Sequence, residues 1–187
     1  MLAYARYLPP AQRWSSKFGL VCSFDEVVDA MLEKPSTSSC AGTHAVQALT
    51  FMLRIHESGS PLFGESTRHR TRSFLRDCVV AAASTQRDDG AWSPDWRASG
   101  DSRRFRQTAG STATSTLVLV TGHVVEWLLY LPRDLAPPPS VLSRARRWLV
   151  GELARATVDQ VCADPCPYSH GLLVLELIAH GGTVEAP

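Results

Sequence analysis

The feature that most constrains this chain is an alternation in helix character. Six helical segments can be read in order, and they run amphipathic, apolar, amphipathic, apolar, amphipathic, apolar. The first, 24–34, opens on a capping box made by Ser23 and Glu26 and carries Asp25 in its first turn. It stripes Val27, Val28, Met31 and Leu32 on one side and is stopped by Pro35. The second, about 43–57, has Ala45, Ala48, Leu49, Met52 and Leu53 on one face, but Val46, Phe51 and Ile55 fill the others. A helix apolar nearly all round is surrounded by protein. The third, about 67–86, turns Thr71, Phe74, Leu75, Cys78, Val79 and Ala82 inward and leaves Arg68, Arg70, Arg72 and Arg76 wet.

The fourth, about 122–131, is apolar on most sides, and residues 115–120 either extend it or form a short extended run. The fifth follows Pro137, Pro138 and Pro139, where proline suits a helix start, and buries Val141, Leu142, Ala145, Trp148 and Leu149. The sixth, about 169–179, ends at Gly181 and Gly182. No segment shows convincing period-2 alternation. Paired helices whose alternate members are buried describe an all-α array of three helical hairpins, with an inner and an outer layer. In such an array the inner helices run the same way, and their starting ends gather on one rim. The expected organisation is an N-terminal extension, 1–22, a helical domain, 23–182, and a short tail, 183–187.

Composition narrows the function classes. Lys plus Arg number 19 and Asp plus Glu 18, so no basic field points to nucleic acid. The longest apolar stretch, 117–131, carries His123 and Glu126 and is shorter than the roughly 20 apolar residues of a membrane span. The first twenty residues hold no hydrophobic core of a signal peptide, and five cysteines form no dense framework. The expectation is a cytoplasmic protein with reduced thiols. Sequence signatures of serine hydrolases, phosphate loops, dinucleotide folds and zinc proteases are all missing.

The candidate chemistry sits at the inner helix starts. The second helix opens Cys40-Ala-Gly-Thr-His44, the fourth Thr121-Gly-His123, and the sixth Cys166-Pro-Tyr-Ser-His170. Thr43, Thr121 and Ser169 are read as N-caps, each with a histidine close behind. The positive end of a helix keeps histidine neutral and favours thiolate. His44, His123, Glu126 and His170 are therefore the candidate acid–base residues, and Cys40, Asp164, Cys166 and His170 the candidate ligands of a zinc ion. The alternative is that each histidine simply packs beneath a helix start and bonds a loop carbonyl.

Gln86-Arg-Asp-Asp-Gly90-Ala-Trp92 matches the Gln-x-x-Asp-Gly-x-Trp repeat, the QW motif of squalene and oxidosqualene cyclases. The three helix starts also resemble those of bacterial prenyltransferase/squalene-oxidase-repeat proteins. The resemblance covers about 20–182 and implies an α/α toroid, here incomplete, since six hairpins close such a ring. The Asp-x-Asp-Asp acid motif of the cyclases is absent, so triterpene cyclisation is not carried over. Asp164-Pro-Cys166 is similar to the Asp-x-Cys zinc pair of protein prenyltransferase β subunits, whose completing histidine His123 or His170 would mimic. The implied activity is binding of an apolar or isoprenoid-type small molecule in the inner-helix concavity. Trp92, Trp96 and Trp127 are its candidate walls, with plain core packing as the other reading. The connection 93–111, with Arg103, Arg104 and Arg106, is a candidate lid. The competing expectation is a non-catalytic scaffold whose open flank binds another protein or a second copy as a homodimer.

Overall fold

The computed structural model describes residues 13–34, 40–97 and 113–180. Residues 98–111 of the candidate lid, the tail, and Pro35 lie outside those residues. The protein is all-α. Its helices are α1 (Phe24–Glu33), α2 (Thr43–Glu57), α3 (Glu65–Thr85), α4 (Thr114–Tyr130), α5 (Pro139–Arg155), α6 (Val158–Ala163) and α7 (Pro165–Ala179). Ahead of them a small antiparallel hairpin pairs β1 (Trp14–Ser15) with β2 (Val21–Cys22). Trp14 lies against Phe24, their ring centres 5.0 Å apart. Neither the hairpin nor α6 is foreseen from periodicity, because two-residue strands and a six-residue helix are too short to display one.

The capping box at the start of α1 forms, with Glu26 N–H donating to Ser23 Oγ and Ser23 N–H to Glu26 Oε2. Asp25, on the same turn, caps a different helix: its Oδ1 accepts from Gly64 N–H at 2.9 Å and Thr67 Oγ1 at 2.6 Å. One orphan N–H at the start of α3, that of Gly64, is thus met from α1 rather than from α3 itself. Arg70 of α3 pairs with Asp29 of α1, and Arg72 joins Glu57 to Asp134.

Three sequence-derived starts need correction. α4 begins at Thr114, so 115–120 extend the helix, and Thr121 is interior rather than a cap. Its hydroxyl instead accepts Trp92 N–H at 3.0 Å. α7 begins at Pro165, which places Ser169 inside the helix, where its Oγ donates back to Cys166 O. α2 is capped by Gly42 in the left-handed region (φ +76°), and Thr43 is its first helical residue. In each case the hydroxyl finds a backbone partner other than the N–H that a cap would serve.

α4 is the centre of the molecule. It packs against α2, α5 and α7; α3 backs α2, and α5 also meets α7. Its buried residues include Val118, Val120, Val124, Val125, Trp127 and Leu128, on every side of the helix. The turn after α3 locks this arrangement. Gln86 Nε2 donates to Gly90 O and to Val141 O of α5, both at 2.9 Å. Trp92 Nε1 donates to Ala82 O of α3. Gly90 has φ +104°, and a Cβ there would lie 2.5 Å from Arg144 O.

His56, near the end of α2, anchors the connection to α3. Its Nδ1 accepts from Leu62 and Phe63 N–H (3.1 and 3.4 Å), and its ring stacks on Phe63. An accepting Nδ1 requires the neutral ring with its proton on Nε2. Burial, then the Arg68 charge, hold His56 below its ordinary value against the pull of nearby carboxylates.

Two predictions follow from this packing. Gly90→Ala is expected to cost about 3 kcal/mol, from backbone strain plus conflict with the α5 backbone. Gly59→Ala, at the same φ of +104° but with open space around it, is expected to cost about 1 kcal/mol. Denaturant titration of the pair isolates the close approach. Because folding lowers the His56 value, the stability it contributes is present above the unfolded value of about pH 6.5 and is lost as pH falls from there through the lower folded value. His56→Ala should flatten the fall in denaturation midpoint seen in the parent protein between about pH 7.5 and 5.5.

Candidate functional site

The site lies where α2, α4 and α7 meet. His44 is the second residue of α2, His123 the tenth of α4 and His170 the sixth of α7. The three histidines come together as the inner-helix reading expects. The His44 and His123 rings are 4.7 Å apart edge-on, and those of His123 and His170 are 3.9 Å apart. What brings them together is not a rim of helix starts, since His123 sits in mid-helix. The dipole argument therefore fails for it, because the effect fades within the first turn.

Their meeting depends on two glycines. A Cβ on Gly122 would lie 3.2 Å from both the carbonyl carbon and the Cβ of His170. A Cβ on Gly171 would lie 3.2 Å from Val118 Cγ1. α4 and α7 thus approach almost backbone to backbone, which carries the neighbouring His123 ring into contact with His170.

Glu126 lies one turn beyond His123 on the same helix face and is also buried. Its Oε1 accepts from Gln47 Nε2 of α2 at 2.7 Å. Its Oε2 faces His123 Nδ1 at 3.4 Å and His170 Nδ1 at 3.5 Å, and none of these three atoms has a hydrogen-bond partner. Charge-assisted hydrogen bonds close to about 2.7–2.9 Å, so these separations are too long for that role. They equal the edge of a tetrahedron of nitrogen and oxygen donors around zinc, about 3.3–3.4 Å for metal–ligand bonds of about 2.0–2.1 Å.

The protonation states suit such an ion. Burial, reinforced by the charge of His123, lowers His170 and His44 despite the opposing pull of Glu126. Burial alone pushes the Glu126 carboxyl up, but the His123 and Gln47 contacts and the two imidazole charges outweigh it and bring it below its usual range. A His170 imidazole held toward its neutral form beside a carboxylate held toward its ionised form suits a site for a divalent cation.

A second set overlaps the first. Cys40, His44 and His123 offer donor atoms all within 4.8 Å of one another, as do His123, Glu126 and His170. Cys40 is held there by a run of left-handed backbone, with φ of +46° at Cys40 and +58° at Ala41, before Gly42. Non-glycine residues in this region cost about 1–3 kcal/mol each and persist only where surrounding bonds hold them. Here Trp96 Nε1 donates to Ala41 O and Thr43 Oγ1 to Cys40 O.

The remaining sequence candidates lie outside the two donor sets, although Cys166 is near enough to Cys40 to help burial push that thiol up. Asp164 and Cys166 are exposed at the start of α7, and neither joins a donor set among the described residues. Trp92, Trp96 and Trp127 are wholly buried and pack in the core, Trp96 against Trp127 at 5.6 Å. Sequence reasoning missed Gln47 and Gly122. Gln47 had a signal, being a polar residue three places after His44 in a helix otherwise read as apolar. Compared with protein-family models, curated proteins and solved structures, the chain matches none.

Gly122→Ala tests how the site is positioned. Alanine would favour the helix by about 1 kcal/mol, but parting two helix backbones costs about 1–3 kcal/mol. A net loss of stability is expected on chemical denaturation, because the opposing atoms are backbone and Cβ rather than a flexible side-chain end.

Proposed function

We propose that this protein is a metal-binding helical protein of cyclase/prenyltransferase-like, half-toroid build. Its centre is the His123–Glu126–His170 set, and it acts on an apolar or isoprenoid-type small molecule. One observation carries the metal reading: the buried Glu126 Oε2 faces two buried imidazole nitrogens at 3.4 and 3.5 Å, long for hydrogen bonds and close to the donor–donor separations around a zinc ion. Buried polar atoms met only by such long contacts are costly, and a shared cation would satisfy all three. The half-toroid reading is supported by the packing of α2, α4 and α7 side by side with α3 and α5 behind them.

His123, Glu126 and His170 would hold the ion, and Gln47 would orient the carboxylate from outside the set. Zinc with three protein donors keeps a fourth position open and supplies Lewis-acid activation of a bound oxygen. His170 and the exposed His44 stand on the solvent side of the buried pair. His44, neutral near pH 7, is placed to take or return a proton there. The zinc pair implied by resemblance, Asp164 and Cys166, does not fit this set. Five free thiols suit a reducing compartment such as the cytoplasm, and no described helix is long and apolar enough to cross a membrane.

The scaffold reading is favoured by one feature, the exposure of Leu172 and Leu173 on α7 (59% and 39%). One experiment separates the two. After dialysis against zinc, elemental analysis should find bound ion in the parent protein and in Cys166→Ala, and almost none on this set in His170→Ala. Gln47→Leu should weaken binding about 10–100-fold. A chain that takes up no zinc, shows no zinc-dependent rise in melting temperature, and dimerises by light scattering would give the function to the scaffold.

A further inference from the structure

His123 is 2% exposed, and neither of its ring nitrogens has a hydrogen-bond partner. A buried neutral imidazole ordinarily satisfies at least its N–H. Nδ1 faces Glu126 Oε2, which leaves Nε2 for the opposite side of the ring. The five donors around this ring do not close into one set. They divide into two sets of three, with His123 the one residue common to both. The second set joins His123 to Cys40, part-buried on its left-handed turn, and His44 at the start of α2, and Nε2 is the nitrogen the first set leaves free for it.

We infer that His123 serves two metal positions at once, so that the loaded protein holds a pair of divalent ions bridged by a single imidazole. This rests on the proposed His123–Glu126–His170 centre and adds to it a second ion held by Cys40, His44 and the other nitrogen of His123. A thiolate with two imidazole nitrogens is a zinc-type donor set, distinct from the carboxylate-containing first set. The two ions differ in character. The first is enclosed beside Glu126, and the second lies toward solvent, beside a half-exposed thiol and an exposed imidazole.

The binding balances as follows. The first ion takes the lone pairs of His123 Nδ1 and His170 Nδ1 and one oxygen of the ionised Glu126, and it displaces no protein proton when both rings are neutral. The second ion forms a bond to Cys40 Sγ and one to His123 Nε2, each of which gives its proton to solvent, while His44 contributes a lone pair. Loading of the second position therefore releases two protons per chain, and loading of the first releases none. Neither metal changes oxidation state.

The test uses the full-length protein titrated with cobalt(II) as a spectroscopic stand-in for zinc. Bound metal per chain, released protons and thiolate-to-cobalt charge-transfer absorption are followed together. Two ions per chain are expected, with the charge-transfer band and the proton release confined to one of them. Cys40→Ser and His44→Ala, changes at part-buried and exposed positions, should each reduce the count to one, and Cys40→Ser should abolish the band. Glu126→Gln should remove the other ion and leave the band. His123→Ala should lose both, and the milder variants decide the matter should it fail to fold. One ion per chain that Cys40→Ser leaves untouched would overturn the bridge while leaving the single centre standing. One ion that vanishes in Cys40→Ser and survives in Glu126→Gln would overturn both, as would no binding at all.

Discussion

A carboxylate inside a helical core is expensive unless something meets its charge, and Glu126 is the interaction on which the rest of this structure turns. Burial by itself drives its carboxyl toward the neutral acid, yet the group is held in the ionised form. The Gln47 amide satisfies one oxygen from α2, and imidazoles of α4 and α7 face the other. Three helices must therefore stand in one mutual arrangement for this charge to be tolerated. Removing any one of them would strand it, and loss of a partner to a buried charge costs several kilocalories per mole.

That arrangement is enforced from outside the site. The turn 86–96 touches every helix that builds it, directly or through one neighbour. Gln86 reaches α5, Trp92 reaches α3 and the Thr121 hydroxyl of α4, and Trp96 grips the carbonyl of Ala41 just ahead of α2. The same turn carries the left-handed Gly90 pressed on α5, so it cannot slide without parting from that helix. The strain stored at Cys40 and Ala41 is held by one of these bonds. Fold and candidate chemistry are in this sense one construction: the indole N–H of Trp96 is at once a core contact and the restraint on a thiol-bearing turn.

Much of this was legible in the residues. Alternating helix character gave the all-α class and the inner status of α2 and α4, because an apolar circumference has no other place to go. Convergence of His44, His123 and His170 was legible for the same reason. What failed was the helix starts. A hydroxyl before a run of apolar residues reads as a cap, but Thr121 is committed to Trp92 and Ser169 to its own helix, contacts that no local pattern announces. The error mattered, because it placed His123 at a positive helix end when its neutral, buried surroundings come instead from the depth of α4. Asp164 and Cys166 looked like ligands by spacing alone. Spacing fixes neither the direction nor the burial of a residue in the first turn of a helix.

The last helix departs furthest from its sequence, and the departure bears on how the site is reached. α7 is as apolar as α4 by composition, yet its buried residues are Pro167, Tyr168, Gly171 and Val174, while Leu172 and Leu173 stand exposed. Its contact with α4, the most extensive between two helices here, runs through a glycine on each helix and leaves the outer face of α7 open. An element held by few buried side chains opens locally at lower cost than one enclosed on all sides. The enclosed helix carries His123 and Glu126, and the one-sided helix carries His170. Local opening would then move a single donor while the other two, and the Gln47 bond behind them, stay in place. On the proposed metal reading, an ion would then reach the set from the α7 side.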